Sequence, residues 1–241
     1  MGGVRVAGRG EPARERRAGR ILDAAGELLV AWGYPRVTVD EVARRAGVGK
    51  GTIYLHFATK EQLFLTVLLR AQRGLMARVV AGMRERGEGV LLSEMARAGY
   101  LWAHEEPVAR AVLLGDLTTL GALGASAAEV MGGLVEERDR VVEAHFRLLR
   151  DHGLIRGEPG LEAQIHAYSA ILTGFLALEP LKPAPYPSHE ENAAIVADVV
   201  RTAFETPGDP AALHAAAARA ADHYQRLLDL MDEEIGRRQV P

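Results

Sequence analysis

Lys50, Gly51, Thr52, Tyr54, Leu55 and His56 stand in one short run, with Thr38 ahead of it and Lys60 just behind. This set offers hydrogen-bond donors, an aliphatic side chain and a glycine. A lysine ammonium can donate to guanine O6 and N7, and a leucine can meet a thymine methyl. A glycine lets a backbone come close to a base edge. Helix N-termini add free N–H groups that favour phosphate. The chemistry open to these residues is recognition of a nucleic-acid surface rather than bond making.

Two helices and a tight turn must position them. Val39, Val42, Ala43 and Ala46 are spaced as one face of a short helix. Thr38 and Glu41 make a capping box at its start, each side chain satisfying an orphan backbone N–H. Gly47 can end it in the left-handed conformation at little steric cost. Val48 and Gly49 leave room only for a turn before a second helix. There Ile53 and Phe57, at i and i+4, face inward and leave Lys50, Gly51, Thr52, Tyr54, Leu55 and His56 around the other side. Thr59 and Gln62 form a second capping box and open a third helix. Two short helices across a Gly-containing turn, the second polar and basic outside, read as a helix-turn-helix.

The run Thr38, Ala43, Ala46-Gly47-Val48, Gly51-Thr52-Ile53-Tyr54, His56-Phe57, Lys60-Glu61 and Leu63-Phe64 resembles the N-terminal motif of TetR-family transcriptional regulators. It departs where the family often has Ser at the turn; Gly49 stands there, a weaker cap but a permitted one. The resemblance covers roughly the first quarter of the chain. It implies that Lys50, Gly51, Tyr54 and Leu55 face base edges or thymine methyls, and that Thr38, Thr52, His56 and Lys60 contact phosphates.

Charge distribution points the same way. Residues 1–60 hold eleven Lys/Arg against six Asp/Glu, and the remainder holds 18 against 26. A basic head on an acidic body suits phosphate binding at one end, although a solvated helix face would show the same balance. The 241 residues suffice for one large or two small domains. No run is apolar enough for a bilayer span, and the N-terminus lacks the apolar core of a signal peptide, so a cytoplasmic location with no membrane partner is expected.

Catalysis has little to build on. There is no cysteine, the four serines lie outside any nucleophile elbow, and no phosphate-cradling glycine loop occurs. The eight histidines include no H-E-x-x-H; His145 and His152, and His214 and His223, read as helix-surface or half-buried residues. Neither enzymatic activity, cofactor nor metal is expected.

The rest of the chain reads as amphipathic helices, with no period-two alternation, so the fold class is all-α. Glu11–Trp32 completes a three-helix head, closed by Gly33 and Pro35, with Arg14, Arg16 and Arg17 at its beginning. A long helix runs from Lys60 to about Arg86, with a bend expected at Gly74. Helices follow at 91–105, 108–114, 127–152, 161–178, 192–205 and 210–237, the glycine-punctuated stretch after Leu114 being partly irregular. The expected domains are residues 1–59, an arm and helix-turn-helix; 60–209, a helical ligand-binding and dimerisation body; and 210–241, an additional C-terminal amphipathic helix.

Met95, Tyr100, Leu101, Trp102, Leu113, Leu114, Leu117 and Phe175 are the apolar residues expected to border a ligand cavity, though plain core would use them equally well. Ala170, Gly174 and Ala177 would let a symmetry mate approach, giving a four-helix dimer interface from 161–178 and 192–205. Those helices could also merely pack on the body. The expected partners are a double-stranded DNA operator, a small apolar or acyl-type effector and a second copy of the chain. The function expected is a ligand-responsive transcriptional repressor. An all-α ligand-sequestering or interaction protein with an inert head is the alternative from another class.

Overall fold

The computed structural model describes residues 11–123, 132–181 and 187–239. Its head is α1 (Glu11–Trp32), α2 (Val39–Ala46) and α3 (Lys50–Tyr54). α4 (Lys60–Glu85) leaves the head and enters the body, followed by a 3-10 turn at Gly87–Val90, α5 (Leu92–Glu105), α6 (Pro107–Leu114) and α7 (Leu117–Leu120). The body continues with α8 (Gly132–Asp151), α9 (Leu161–Leu178), a 3-10 turn at Glu179–Leu181, α10 (His189–Phe204) and α11 (Pro210–Arg238). The protein is all-α. The described residues include one isolated bridge, Ile155 with Glu205, and none of their helices is long and apolar enough to cross a membrane.

Local chemistry sets the helix ends. Thr38 and Glu41 form the expected capping box, with Thr38 N donating to Glu41 Oε2 at 2.7 Å and Glu41 N to Thr38 Oγ1 at 3.3 Å. Gly47 closes α2 at φ 66°, a conformation that costs any other residue a Cβ clash. Thr59 caps α4 through a bond from Gln62 N at 3.0 Å, the backbone half of the expected box. α10 begins three residues earlier than its apolar pattern suggests, because Ser188 and Glu191 make a capping box there.

α4 holds the molecule together. At roughly 1.5 Å per residue its 26 residues span about 39 Å. From Leu63 to Leu69 every side chain is buried, because head helices and body helices cover it on different sides. The helix is continuous at Gly74, which instead provides a close approach: a Cβ there would lie 2.4 Å from the Trp102 ring of α5. Trp102 Nε1 donates to Ala71 O at 3.2 Å, locking the two helices together. α11 lies along α4, the 87–90 turn and α8, burying Ala216, Ala217, Ala220, Tyr224, Leu227 and Met231. Arg73 of α4 reaches Asp232 of α11 through Nη2–Oδ2 at 2.7 Å.

The sequence reading made α4 the sole continuous route from head to body, and by covalent connection it is. The fold adds a second route through space. α6 and α7 pack directly on α1, and Tyr34 N, in the α1–α2 corner, donates to Thr119 O at 2.8 Å. The helix expected from 127 is described from 132; residues 127–131 lie outside the described set.

His145, read from sequence as surface or half-buried, is 1% exposed. Its Nε2 lies 2.8 Å from Val90 O and its Nδ1 3.1 Å from the Tyr224 hydroxyl, which suits a neutral ring donating at Nε2 and accepting at Nδ1. Burial pushes its pKa down to about 4, against the smaller opposing effect of the Val90 carbonyl. Below pH 6.5 the unfolded chain therefore takes up a proton that the folded ring refuses until about pH 4. Stability from this residue is full above pH 6.5 and falls by roughly 3 kcal/mol as pH drops to 4. Denaturant unfolding between pH 7 and pH 4.5 should show this slope, and His145→Gln should show less of it. Equal slopes in the two proteins would refute the assignment.

Candidate nucleic-acid interface

The outer side of the helix-turn-helix follows from what its inner side buries. Ile53 and Phe57 are 1% and 0% exposed, in one apolar cluster with Ile21, Leu22, Leu29, Val39 and Val42. Helical geometry then turns Lys50, Gly51, Tyr54 and Leu55 to solvent, with Leu55 67% exposed. Thr38 is exposed and Thr52 half-buried at the same end of the head. A Cβ added at Gly51 would meet nothing within 4 Å among the described residues, so packing there does not require glycine.

Charge on this surface is partly spoken for. Lys50 Nζ lies 2.7 Å from Asp40 Oδ2, and this contact holds the ammonium pKa above its ordinary value. Both groups are exposed, so the pair is weak and a phosphate or a base edge can compete for the lysine.

Two expected contacts are placed differently. His56 is 2% exposed, so its ring cannot reach a phosphate in this conformation. It lies under the start of α1, where burial, and secondarily the charges of Arg14 and Arg17, lower its pKa. Lys60 is half-buried; its Nζ donates to Tyr34 O at 2.8 Å and stands 4.3 Å from the Tyr34 ring centroid. Its side chain thus fastens the α1–α2 corner to α4. The family resemblance implies phosphate contacts for both, and helical spacing puts His56 outside, but α3 ends at Tyr54 and His56 is buried after it.

The body candidates are brought together only in part. Tyr100 is buried, and Met95, Leu101, Trp102, Leu113, Leu114 and Phe175 are half-buried against the core on α5, α6 and α9, which pack on one another. The side chain of Leu117 lies outside the described residues. A groove of about 770 Å³ lies instead between α1, α4, α5 and α6, floored by Gly26, Val67, Ala71, Gly74, Trp102 and Val108. Of the expected cavity residues Trp102 lines it, and Met95 lines a second space of about 80 Å³.

Residues 21–67 match the family model for bacterial regulatory proteins of the tetR family, the stretch that builds this surface. The head is thus of the TetR family's N-terminal DNA-binding type. Over 71 residues it is 42% identical to the HTH-type transcriptional activator FasR of Mycolicibacterium smegmatis, covering 30% of this chain and 32% of FasR. Over 163 residues it is 28% identical to the HTH-type transcriptional regulator SrpR of Pseudomonas putida, covering 65% of this chain and 72% of SrpR. The matched stretch is thus about a third of FasR's length. The fold is shared with the transcriptional regulator FadR from Bacillus subtilis, solved in complex with stearoyl-CoA. That likeness has a TM-score of 0.60 and 18% identity, over 76% of this chain and 96% of FadR.

Within this TetR-family head the structure adds residues that spacing did not select for the interface. Asp40, on α2, sets the resting position of Lys50. Arg14, from the far end of α1, reaches toward Leu55 O at 3.5 Å, and the sequence hinted at it only through the Arg14, Arg16, Arg17 cluster.

Proposed function

We propose that this TetR-family protein is a ligand-responsive transcriptional repressor that binds a palindromic operator as a homodimer. The observation that carries the reading is the outward set Lys50, Gly51, Tyr54 and Leu55 above the buried Ile53 and Phe57. Lys50 and Tyr54 supply donors to base edges, Leu55 a surface for a thymine methyl, and Gly51 the close approach. Thr38 and Thr52 supply phosphate contacts. One head reads one half-site, so two heads must stand about 34–36 Å apart.

On this reading residues 1–59 read DNA, 60–209 set the separation of the heads and bind effector, and 210–241 add a helix packed on the body along α4. The dimer face is formed by α9 and α10. Ala170, Ala177 and Leu178 of α9 and Ala194, Ile195 and Val199 of α10 are exposed, and a Cβ at Gly174 would meet nothing within the chain. The effector is a small apolar or acyl-type molecule lodging against the half-buried side chains of α5, α6 and α9. α6 and α7 touch α1, so a ligand that shifts them biases the heads toward a different spacing; only its preference between the two states counts. FadR, which shares the fold, holds stearoyl-CoA.

Selection of bound DNA from a random pool, repeated with long-chain acyl thioesters present, tests the reading. A palindromic consensus that is released by acyl ligand supports it, and no retention of DNA at moderate salt overturns it in favour of the ligand-sequestering alternative. Within the selected site, Tyr54→Ala and Lys50→Ala should each cost about 1–3 kcal/mol of specific binding. The thermal midpoint should be unchanged, because both side chains are exposed. Fluorescence anisotropy beside a melting curve measures both quantities. Loss of binding together with loss of the fold would remove the contact assignment.

A further inference from the structure

His104, Glu179 and His189 come from three separate segments: α5, the 3-10 turn after α9, and the first residue of α10. Their donor atoms all lie within 4.8 Å of one another. Zinc with imidazole and carboxylate ligands needs bonds of about 2.0–2.2 Å. The three donors therefore need a closing movement of only about an ångström to share one ion. We infer that these three residues form a binding site for a divalent transition-metal cation of the zinc type, independent of the DNA-reading surface.

The outer contacts are those a metal-binding histidine uses. His104 Nδ1 lies 2.8 Å from Tyr100 O, a carbonyl that can hold the Nδ1 proton when an ion takes the place of the proton Nε2 shares with the carboxylate. Nε2 lies 2.9 Å from Glu179 Oε1 and 2.8 Å from Oε2. Oε1 also accepts the Tyr100 hydroxyl at 2.9 Å, and Arg110 Nη1 holds Oε2 at 2.8 Å. His189 Nε2 stands 3.9 Å from Oε1, on a side chain 60% exposed and able to swing in. The cysteine-free donor set of two imidazoles and one carboxylate suits zinc, cobalt or nickel rather than the all-oxygen shells of calcium or magnesium.

Arg110 is the competing cation. Its Nη1 is also 3.2 Å from His104 Nε2, while its Nη2 is anchored on Leu176 O at 3.0 Å. An ion bound between Oε1 and the two imidazoles displaces Nη1 from Nε2 but leaves it on Oε2, where it orients the carboxylate. The exposed His189 leaves a coordination position facing solvent, so binding is reversible. A bound ion would join α5 to the end of α9 and the start of α10.

The full-length protein, stripped with a chelator, should take up one equivalent of cobalt(II) per chain with the visible absorption of a low-coordinate site. Zinc should then displace it, measured without DNA. His189→Ala, at an exposed position on α10, should fold with an unchanged melting midpoint and bind zinc at least tenfold more weakly by calorimetry. Absence of metal uptake by the wild type, or uptake that His189→Ala leaves unchanged, overturns the site. Neither result bears on whether the head binds DNA.

Discussion

Replacing Gly174 by Leu is expected to yield a folded monomer that no longer holds a palindromic operator. Among the described residues a Cβ at this position meets nothing within 4 Å, so no internal contact there calls for glycine. Glycine inside a helix costs roughly 0.5–1 kcal/mol relative to alanine, so substitution should if anything strengthen α9. In the proposed four-helix interface the same side chain meets the partner's backbone. A monomer presents one head to a two-headed site and keeps only phosphate attraction plus one half-site. Operator affinity should therefore fall by about 10³-fold or more, the usual gap between specific and non-specific binding. Analytical ultracentrifugation and anisotropy on the selected operator measure the two effects. A Gly174→Leu protein that stays dimeric would place the interface elsewhere, and a wild type that is monomeric on a palindromic site would remove the dimer proposal itself.

Gly51→Leu should separate stability from recognition with opposite signs. The added side chain has no protein neighbour to strike, and a leucine is a better helix former than glycine by up to about 1 kcal/mol, so the melting midpoint should hold or rise. On the operator it occupies the space through which the α3 backbone would approach the bases. A loss of about 3 kcal/mol, or more than 100-fold, is expected in specific binding, with non-specific binding at low salt much less affected. Gly51→Ala should show the same pattern at smaller size. If Gly51→Leu bound its operator as the wild type does, α3 would not lie in the groove as proposed.

These two glycines show how differently a sequence can speak. Gly51 stands inside a motif whose period, caps and turn are all local, and local interactions decide such structure: the Thr38–Glu41 box, the Gly47 stop and the inward pair Ile53 and Phe57 each concern residues within a few positions of one another. The same locality made the all-α class, the family and the span of α4 readable. The start of α10 falls three residues ahead of its apolar pattern because that pattern marks a buried face, whereas the Ser188–Glu191 box marks a start.

What periodicity could not supply was the partner of each face. His56 and Lys60 share the motif's spacing with Tyr54, yet the chain leaves helical geometry after Tyr54, and α1 and the Tyr34 corner cover or capture both side chains. Trp102, expected beside a cavity, does line the α1–α4–α5–α6 groove, but what seats it is Gly74, 28 positions earlier in the chain, where the missing Cβ makes room for the ring. His104, Glu179 and His189 are dispersed in the sequence and converge only because α5, α9 and α10 pack together. The sequence by itself determined most of the helices, the caps of α2 and α4 and the outward residues of α3, since backbone hydrogen bonding and side-chain periodicity act over one or two turns. Only the tertiary structure decided which polar groups meet across helices and which are buried, because those contacts join residues that chain connectivity leaves far apart.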